Sequence, residues 1–354
     1  MMSTAIFLGA GAAKVEGAPL QNELVKMCAR SFQQLGRCPN VAGYLKDFFG
    51  IHCLQDDLEK TTFPTFEEVI GLIDLAELRG ETLRWPLVEG FNADNSIHTL
   101  RLVRDELIFM MSWFIDYYSQ EEASGSYECL LSTLNSRTLL DRNRVIFLTS
   151  NYDLLLEKAL SKVYASKKIN YGVDFARVEG EKLWRPTLNA GLKFYKIHGS
   201  LDWLYCTTCN NILLKYVPIS SSLDYTNSLI CTDCLSIREP VIVPPTYYKS
   251  MSNVFLGSVW NNAENALRRV TRVVFCGYSL PDADMHIKYL MKRAQTNRAS
   301  PVFSVVVFNH YSGKDERVAE EEEVRYKRFF GDKVVDYTRK SFEEFVADPL
   351  PYLT

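Results

Sequence analysis

The sequence predicts an α/β protein built on an open, mostly parallel sheet, and three observations predict it. Short runs of β-branched and aromatic residues recur between Gly, Asn or Pro residues, which is typical of buried strands. Stretches with helical spacing separate several of these runs, and strands that alternate with helices form parallel sheets. A glycine-rich turn follows the first run. The runs are Thr4–Leu8, Val145–Thr149, Lys193–Ile197, Val241–Val243, Arg272–Cys276 and Val302–Phe308.

Composition and charge exclude several classes of protein. The chain has 354 residues, of which 47% are apolar, so it can bury a large core. Its net charge of −3 provides no basic field for nucleic acid. Its apolar stretches are shorter than the roughly 20 residues that span a bilayer. Because no export signal precedes the first strand, we expect a cytoplasmic protein with no membrane contact.

Two segments interrupt the alternation of strands and helices. Apolar residues at i, i+3, i+4 and i+7 spacing predict an inserted helical module before residue 135. A second insertion, from 201 to 240, holds two cysteine pairs. The predicted division is 1–49, first part of the sheet domain; 50–135, helical insertion; 136–200, second part of the sheet domain; 201–240, zinc-binding subdomain; and 241–354, last part of the sheet domain with a C-terminal extension.

Acidic residues near the C-terminal end predict structure rather than function. The run Glu320–Glu323 is typical of a solvated helix face. Asp282 and Asp284 follow Pro281, and acidic side chains near the positive end of a helix explain them better than a cation site does.

The nine cysteines divide into two groups. Five of them stand among apolar neighbours, and we interpret them as reduced core residues. These are Cys28, Cys38, Cys53, Cys129 and Cys276. The other four form two Cys-x₂-Cys pairs separated by 21 residues, Cys206 with Cys209 and Cys231 with Cys234.

The two pairs predict a structural Zn²⁺ site. Four thiolates suit tetrahedral zinc, and the spacing lies just beyond the usual range of roughly 15 to 20 residues. Since thiolates would fill all four positions, no water could bind the metal, so a catalytic role is excluded. Zinc ribbons also bind nucleic acid, but Lys215 is the only basic residue between the pairs, which argues against such a partner.

The first predicted strand ends in the sequence Gly9-Ala10-Gly11-Ala12-Ala13. Small residues after a strand let the backbone approach a diphosphate, whose charge the N–H groups at a helix start stabilise. A tight structural turn explains the same residues equally well.

Polar side chains follow two further strands. Ser150, Asn151 and Asp153 come after the second strand, and His198 comes after the third. Because ligands bind beyond the carboxyl ends of parallel strands, we expect Asn151 and His198 to reach the same edge as the glycine turn. An isolated histidine at a strand end is usually structural, but this convergence favours a binding site.

These motifs occur in an order that resembles a sirtuin-fold protein, and most closely the prokaryotic sirtuin-like branch of anti-phage defence systems. The motifs are Gly9-Ala10-Gly11-Ala12, Gly17-Ala18-Pro19, Ser150-Asn151-Tyr152-Asp153, Lys196-Ile197-His198-Gly199-Ser200, the two cysteine pairs and Phe275-Cys276-Gly277-Tyr278-Ser279-Leu280. The resemblance spans residues 3 to about 310.

The resemblance implies a Rossmann-type domain that binds NAD beside Asn151 and His198. It assigns Asn151, His198 and Asp153 to catalysis. It places the diphosphate at the first loop, a second phosphate-facing loop at Gly277, Tyr278 and Ser279, and the adenosine ribose near Asn309. The implied NAD-binding residues are Gly9, Ala10, Gly11, Ala12, Pro19, Ser150, Gly277, Tyr278, Ser279 and Asn309.

Departures from the deacylase pattern favour water as the acceptor. Ala13 stands where the deacylases carry a serine, and Leu20 and Gln21 stand where they carry a Phe-Arg pair. The deacylases pair their substrate peptide with a short extended segment, whereas this chain has Pro244-Pro245-Thr246-Tyr247-Tyr248-Lys249, whose prolines lack N–H donors.

The resulting hypothesis is an NAD hydrolase that releases nicotinamide and ADP-ribose. The resemblance further implies an NAD-depleting effector in anti-phage defence, triggered by a partner such as an ATPase or by assembly into a homo-oligomer. The alternatives are a sensor that binds NAD or ADP-ribose without turnover, and an NAD-dependent protein deacylase.

Overall fold

The computed structural model describes residues 3–81, 97–121, 124–164, 169–175, 177–178, 191–215, 230–243, 253–282, 284–298 and 303–353. The strands are β1 (Thr4–Leu8), β2 (Val145–Thr149), β3 (Ile169–Asn170), β4 (Arg177–Val178), β5 (Leu192–Lys196), β6 (Gly199–Cys206), β7 (Ile212–Leu214), β8 (Arg238–Ile242), β9 (Arg272–Cys276), β10 (Ser304–Phe308) and β11 (Val335–Tyr337).

The α-helices of the described residues range from one and a half to seven turns. They are α1 (Ala10–Val15), α2 (Gln21–Leu35), α3 (Pro39–Phe49), α4 (Phe66–Arg79), α5 (Ile97–Glu121), α6 (Ser126–Ser136), α7 (Leu155–Val163), α8 (Val254–Leu267), α9 (Met285–Thr296), α10 (Glu316–Phe330) and α11 (Phe342–Ala347). No helix in this part of the chain combines the length and the apolar character needed to cross a bilayer.

A sheet of seven strands forms the centre of the protein, in the order β11-β10-β9-β1-β2-β5-β3, and all its neighbours pair in parallel. Every residue of β1 and β2 is buried, as expected for inner strands of a parallel sheet. The predicted α/β class is therefore confirmed. Strand β1 lies between β2 and β9 in the sheet. The carboxyl ends of these three strands therefore lie together at the edge where ligands bind in such sheets.

A second sheet of four strands, in the order β4-β7-β6-β8, carries the cysteine pairs. Strand β6 is antiparallel to both β7 and β8. The run Val241–Val243, expected as a strand of the parallel sheet, belongs mostly to β8 of this smaller sheet, so that expectation was wrong. Gly199 starts β6 with φ +87°, and a Cβ there would lie 1.8 Å from the carbonyl oxygen of Val241, so the junction requires glycine.

The helical module has its own hydrophobic core, formed by α2 to α5. Its α5 face is buried as the spacing predicts, through Leu100, Val103, Leu107, Ile108, Met111, Phe114 and Ile115. This core already starts at Leu24 on α2, whereas α6 packs with the parallel sheet. At both ends of the module, the change from one hydrophobic core to the other thus comes earlier in the chain than the predicted boundaries at 49 and 135.

The C-terminal residues complete the sheet and its core. Strand β11 pairs with β10, and Phe342 and Phe345 of α11 pack into the core around the parallel sheet. Leu353 is buried there as well, and its carbonyl oxygen accepts a hydrogen bond from Thr4 Oγ1 at 3.0 Å. The segment beyond residue 310 is therefore an integral part of the domain.

Two expectations about individual side chains were wrong. Cys129 is exposed on α6, whereas the other four cysteines expected in the core are buried. Glu322 lies in the run expected to be solvated, yet it is buried on the inner face of α10. Its carboxylate accepts hydrogen bonds from Lys314, Tyr337 and Asn309. A buried charge needs partners of this kind, and the composition of the run does not reveal them.

Candidate active site

A cavity of about 400 Å³ lies at the carboxyl ends of the parallel strands, bounded on one side by the helical module. Each of the loops that follow β1, β2, β5 and β9 contributes to its lining. The sequence-predicted residues found there are Ala10, Pro19, Ser150, Asn151, Asp153, His198, Gly277, Tyr278 and Ser279. Gly9, Gly11, Ala12 and Asn309 do not belong to its described lining.

Glycines bring the loops after β1 and β9 into direct contact. Gly277 has φ +63°, and a Cβ there would lie 2.0 Å from the backbone nitrogen of Ala12. A Cβ at Gly9 would lie 2.5 Å from the Gly277 carbonyl oxygen, which accepts the Gly11 N–H at 2.8 Å. Gly11 and Ala12 therefore pack against the second loop, and their expected contact with a diphosphate stays a prediction.

Asn151 is held by two hydrogen bonds. Its backbone N–H donates to Thr149 Oγ1 at 2.9 Å, and its side-chain Nδ2 donates to the carbonyl oxygen of Gly9 at 2.9 Å. Thr149 in turn donates its hydroxyl hydrogen to the carbonyl oxygen of Leu8 at 2.8 Å. The amide is thus oriented by the end of β1, and Oδ1 is the atom of this group suited to accept a hydrogen bond from a ligand.

His198 stands in the turn between β5 and β6 and is 3% exposed. The turn is fixed by its backbone: the Ile197 N–H donates to the Thr149 carbonyl oxygen at 3.0 Å, and the His198 carbonyl oxygen accepts the Val243 N–H at 2.9 Å. Trp260 Nε1 donates to the Ile197 carbonyl oxygen at 2.7 Å. The imidazole lies near the Tyr152 ring, with centroids 6.4 Å apart. Asn151 and His198 therefore reach one cavity, as predicted.

Carboxylates dominate the charge of the cavity. Asp153, Glu67 and Asp284 line it, and no lysine or arginine occurs among its described lining residues. Asp153 Oδ1 accepts the Leu155 N–H at 3.0 Å, and burial raises the pKa of its carboxyl group. Asp284 begins α9, as expected for a helix start, but its carboxylate accepts the Tyr278 hydroxyl hydrogen at 2.8 Å rather than capping the helix. The described lining thus offers carboxyl groups and lacks a lysine or arginine side chain.

The helical module supplies a wall that the sequence did not reveal. Thr65 and Glu67 come from the start of α4, and Met111 and Ile115 come from α5. Thr65 caps α4 by accepting the Glu68 N–H, a start signal readable from the sequence. Such a signal locates a helix end but says nothing of what the helix packs against.

Asn309, expected near the adenosine ribose, lies outside the described lining of the cavity. It is 8% exposed at the end of β10, and its Nδ2 donates to Glu322 Oε2 at 2.7 Å. Lys314 donates to the Asn309 carbonyl oxygen and to the same carboxylate. Its amide is thus part of a buried polar network, and its expected place near an adenosine ribose stays a prediction.

The four paired cysteines converge on one point of the smaller sheet. Their sulfur atoms all lie within 4.8 Å of one another, with Cys206 and Cys234 at 3.4 Å and Cys209 and Cys231 at 3.7 Å. With Zn–S bonds of about 2.3 Å, tetrahedral coordination separates two sulfurs by about 3.8 Å. The donor set and its spacing therefore fit zinc, and the four thiols could hold a metal ion. Arg238 Nη2 approaches Cys231 Sγ at 3.6 Å and would offset thiolate charge.

The chain is thus a Rossmann-like α/β protein with a cavity at the carboxyl ends of its central strands. The model of the SIR2-like domain family matches residues 145–327, which is more than half of the chain. The protein therefore belongs to the SIR2-like family. The match includes Asn151, His198, the cysteine pairs and the loop at Gly277.

Solved structures of Sir2 proteins are similar to this chain at low sequence identity. A structure described as "Structural Basis for the Mechanism and Regulation of Sir2 Enzymes" is 13% identical, with a TM-score of 0.45 over 99% of this chain and 92% of that chain. Another, "Sir2-p53 peptide-NAD+", is 14% identical, with a TM-score of 0.43 over 99% and 92%. A search of curated proteins finds no significant match.

Proposed function

We propose that the protein cleaves the bond between nicotinamide and ribose in NAD, with water as acceptor, and releases nicotinamide and ADP-ribose. The observation that carries the proposal is the convergence of Asn151 and His198 on one cavity at the loop that starts at Gly9. Membership of the SIR2-like family supports the choice of NAD. We also propose that the cysteine cluster holds structural zinc.

The charge of the cavity suits this reaction. Nicotinamide in oxidised NAD is already a cationic leaving group, so its departure needs little acid catalysis. Positive charge then develops on the ribose carbon, as in other glycoside cleavages. The carboxyl groups of Glu67, Asp153 and Asp284 line the cavity. Any of them that is ionised favours that charge relative to a neutral wall.

Each predicted catalytic residue has a role that its contacts allow. Asn151 Oδ1 accepts a hydrogen bond from the attacking water or a ribose hydroxyl, since Nδ2 is held by Gly9. His198 accepts a proton from the water or a ribose hydroxyl. Asp153, whose Oδ1 is bonded to the Leu155 N–H, orients the loop and contributes negative charge when ionised.

An acyl-lysine peptide is the alternative acceptor. Leu20 lines the cavity next to Pro19. The deacylases carry a Phe-Arg pair at the positions of Leu20 and Gln21, and this difference supports water as the acceptor. The segment 244–249, which the sequence argument also used, lies outside the described residues. The two acceptors give different products, ADP-ribose from water and an acylated ADP-ribose from a peptide.

A nicotinamide-release assay tests the proposal. We expect ADP-ribose as the product without any peptide, and a loss of about 10²- to 10⁴-fold in rate for His198→Ala. Asn151→Ala should show a comparable defect. His52→Ala, which changes a histidine outside the cavity lining, is the control. Folded His198→Ala and Asn151→Ala proteins that keep the parent rate contradict the assignment. Binding of NAD with no release in any assembly state selects a sensor.

We also propose a biological setting for this activity. We place the activity in the cytoplasm as an NAD-depleting effector of anti-phage defence, activated by a partner ATPase or by formation of a homo-oligomer. Unrestrained NAD loss is toxic to the cell, so a trigger is required. Cellular NAD should fall during phage challenge only when the protein is present, and an unchanged NAD pool would exclude this setting.

A further inference from the structure

Lys196 is a charged side chain that is buried completely beside the cavity. Its side chain is 0% exposed, and it ends β5 two positions before His198. Removing an ammonium group from water costs several kcal/mol, so the fold must supply close partners. Lys196 does not belong to the described lining of the cavity. It therefore acts on any ligand only through its neighbours.

The partners of Lys196 come from the elements around the cavity. Its Nζ donates to Glu157 Oε1 of α7 at 2.8 Å and to the carbonyl oxygen of Asp153, and it lies 3.5 Å from the carbonyl oxygen of Tyr152. Asp202 of β6 is 1% exposed. Burial raises the pKa of its carboxyl group, and the positive charge of Lys196 opposes that rise. One ammonium group thus joins β5 to the loop after β2 and to α7.

The contacted backbone belongs to the residues that follow Asn151. Tyr152 and Asp153 are its next two neighbours, while His198 stands two positions after Lys196. We propose, given the NAD cleavage proposed above, that Lys196 is a positioning residue whose bonds to these loop carbonyls set the place of the Asn151 amide relative to the His198 imidazole.

Loss of this ammonium group should disturb geometry rather than binding. A methionine at 196 has similar length and fills the same space, but it offers no donor to the Asp153 carbonyl or to Glu157. Displacements of about 1 Å in a reacting group can cost about 10²-fold in rate. The rest of the cavity, including the loop at Gly277, has no contact with Lys196 among the described bonds, so ligand affinity should persist.

Glu157 makes the position sensitive to pH. The pKa of its carboxyl group is raised to about 7. Burial is the largest cause, the charges of Asp202 and Asp153 also raise the pKa, and the charge of Lys196 lowers it. Tyr127 of α6 also faces this carboxylate. Below that pH the carboxyl group is protonated and its ion pair with Lys196 is lost. The rate should therefore fall on the acid side.

A variant without the ammonium group and a matched control test the role of Lys196. Lys196→Met removes the ammonium group, and Lys162→Met on the same helix as Glu157 is the control, because Lys162 is 64% exposed and pairs with Glu128 of α6. The measurements are hydrogen–deuterium exchange of the peptide 150–157, kcat and KM for nicotinamide release, and affinity for ADP-ribose. We expect faster exchange in that peptide and a kcat about 10²-fold lower for Lys196→Met, with KM and ADP-ribose affinity within about threefold. Lys162→Met should match the parent protein.

The exchange measurement separates this inference from the proposed function. If the parent protein releases no nicotinamide, the proposed function fails, and the exchange of 150–157 alone decides whether Lys196 holds the loop. Unchanged exchange in folded Lys196→Met overturns the inference, and so does faster exchange with an unchanged kcat. Should Lys196→Met not fold, Glu157→Gln keeps the ammonium group and removes the titrating partner. Its peptide 150–157 should exchange faster than in the parent at pH 8, and its rate should fall less than that of the parent between pH 8 and 6. Exchange and a rate profile that match the parent overturn the inference.

Discussion

The hydroxyl group of Tyr152 donates a hydrogen bond to the carbonyl oxygen of Val243 at 2.6 Å. The Val243 N–H donates in turn to the carbonyl oxygen of His198 at 2.9 Å. Val243 therefore ties the loop that carries Asn151 to the turn that carries His198. The loop of Asn151 and the turn of His198 are thus both anchored directly after β8, an element of the smaller sheet.

Replacing Tyr152 by phenylalanine should loosen this connection. The change removes the hydroxyl donor and leaves the buried Val243 carbonyl oxygen without it, which costs about 1–3 kcal/mol in the free energy of unfolding. Nicotinamide release should decline as well. Tyr164→Phe removes a hydroxyl bonded to Asp141 away from the cavity, and it should reduce stability without changing the release rate. Equal release rates for the two variants would argue against the connection.

Gly277→Ala should be strongly destabilising. The new Cβ would lie 2.0 Å from the Ala12 nitrogen, and the backbone already has φ +63°. We expect a loss greater than the roughly 1–2 kcal/mol that a left-handed conformation alone costs a residue with a Cβ. Gly313→Ala is the matched control, since Gly313 has φ +87° with nothing within 4 Å of its Cβ position. Urea denaturation of both variants measures the difference, and similar losses would exclude the loop-to-loop contact as its cause.

Glu157 should lower stability as pH rises. Its pKa in the folded protein is about 7, above the value of 4.5 of an unperturbed glutamate, so the folded state holds a proton that the unfolded state has released. The stabilisation from this bound proton is fully present below pH 4.5 and is lost as the pH rises through 7. Between pH 5 and 8 the parent should lose about 2–3 kcal/mol more than Glu157→Gln in the free energy of unfolding.

The control for this comparison is Glu128→Gln on α6, where an exposed carboxylate pairs with Lys162. Its pH dependence should follow that of the parent protein. If Glu157→Gln and the parent lose the same free energy over this range, the carboxyl group does not titrate near neutrality.

Metal analysis of the purified protein should find one zinc per chain. Cys209→Ser removes one of the four converging sulfurs and should reduce zinc content and loosen the smaller sheet. Cys129→Ser is the control, because Cys129 is exposed on α6 outside the cluster. Chelation should lower the melting temperature of the parent and of Cys129→Ser alike. Protein that is fully folded without any metal would contradict a structural zinc site.

Strand periodicity and parallel topology together predicted the loops of the candidate site. Residues after buried strands of one parallel sheet must lie at one edge, so Asn151 and His198 could be brought together from their positions alone. The first glycine loop shows a contact that the sequence did not reveal. Gly9 and Gly11 are required for close approach to Gly277, and the expected contact of this loop with a diphosphate stays a prediction.

Residues far apart in the chain explain what the sequence did not reveal. Glu67 comes from an insertion whose apolar spacing predicts helices but not the side on which they meet the sheet. Glu322 was expected to be solvated within an acidic run, yet it accepts hydrogen bonds from Asn309, directly after β10, and from Tyr337 of β11. Lys196 was noted only as part of a motif, because burial of a lysine cannot be read from its neighbours in the chain.

The sequence by itself determined the parallel α/β class, the two cysteine pairs and the loops that carry Asn151 and His198, because local periodicity and turn chemistry depend on nearby residues. The tertiary structure decided which loops touch, which charges are buried and that the helical module closes one side of the cavity. Those properties depend on the packing of distant segments, and burial sets both the contacts and the protonation of the groups between them.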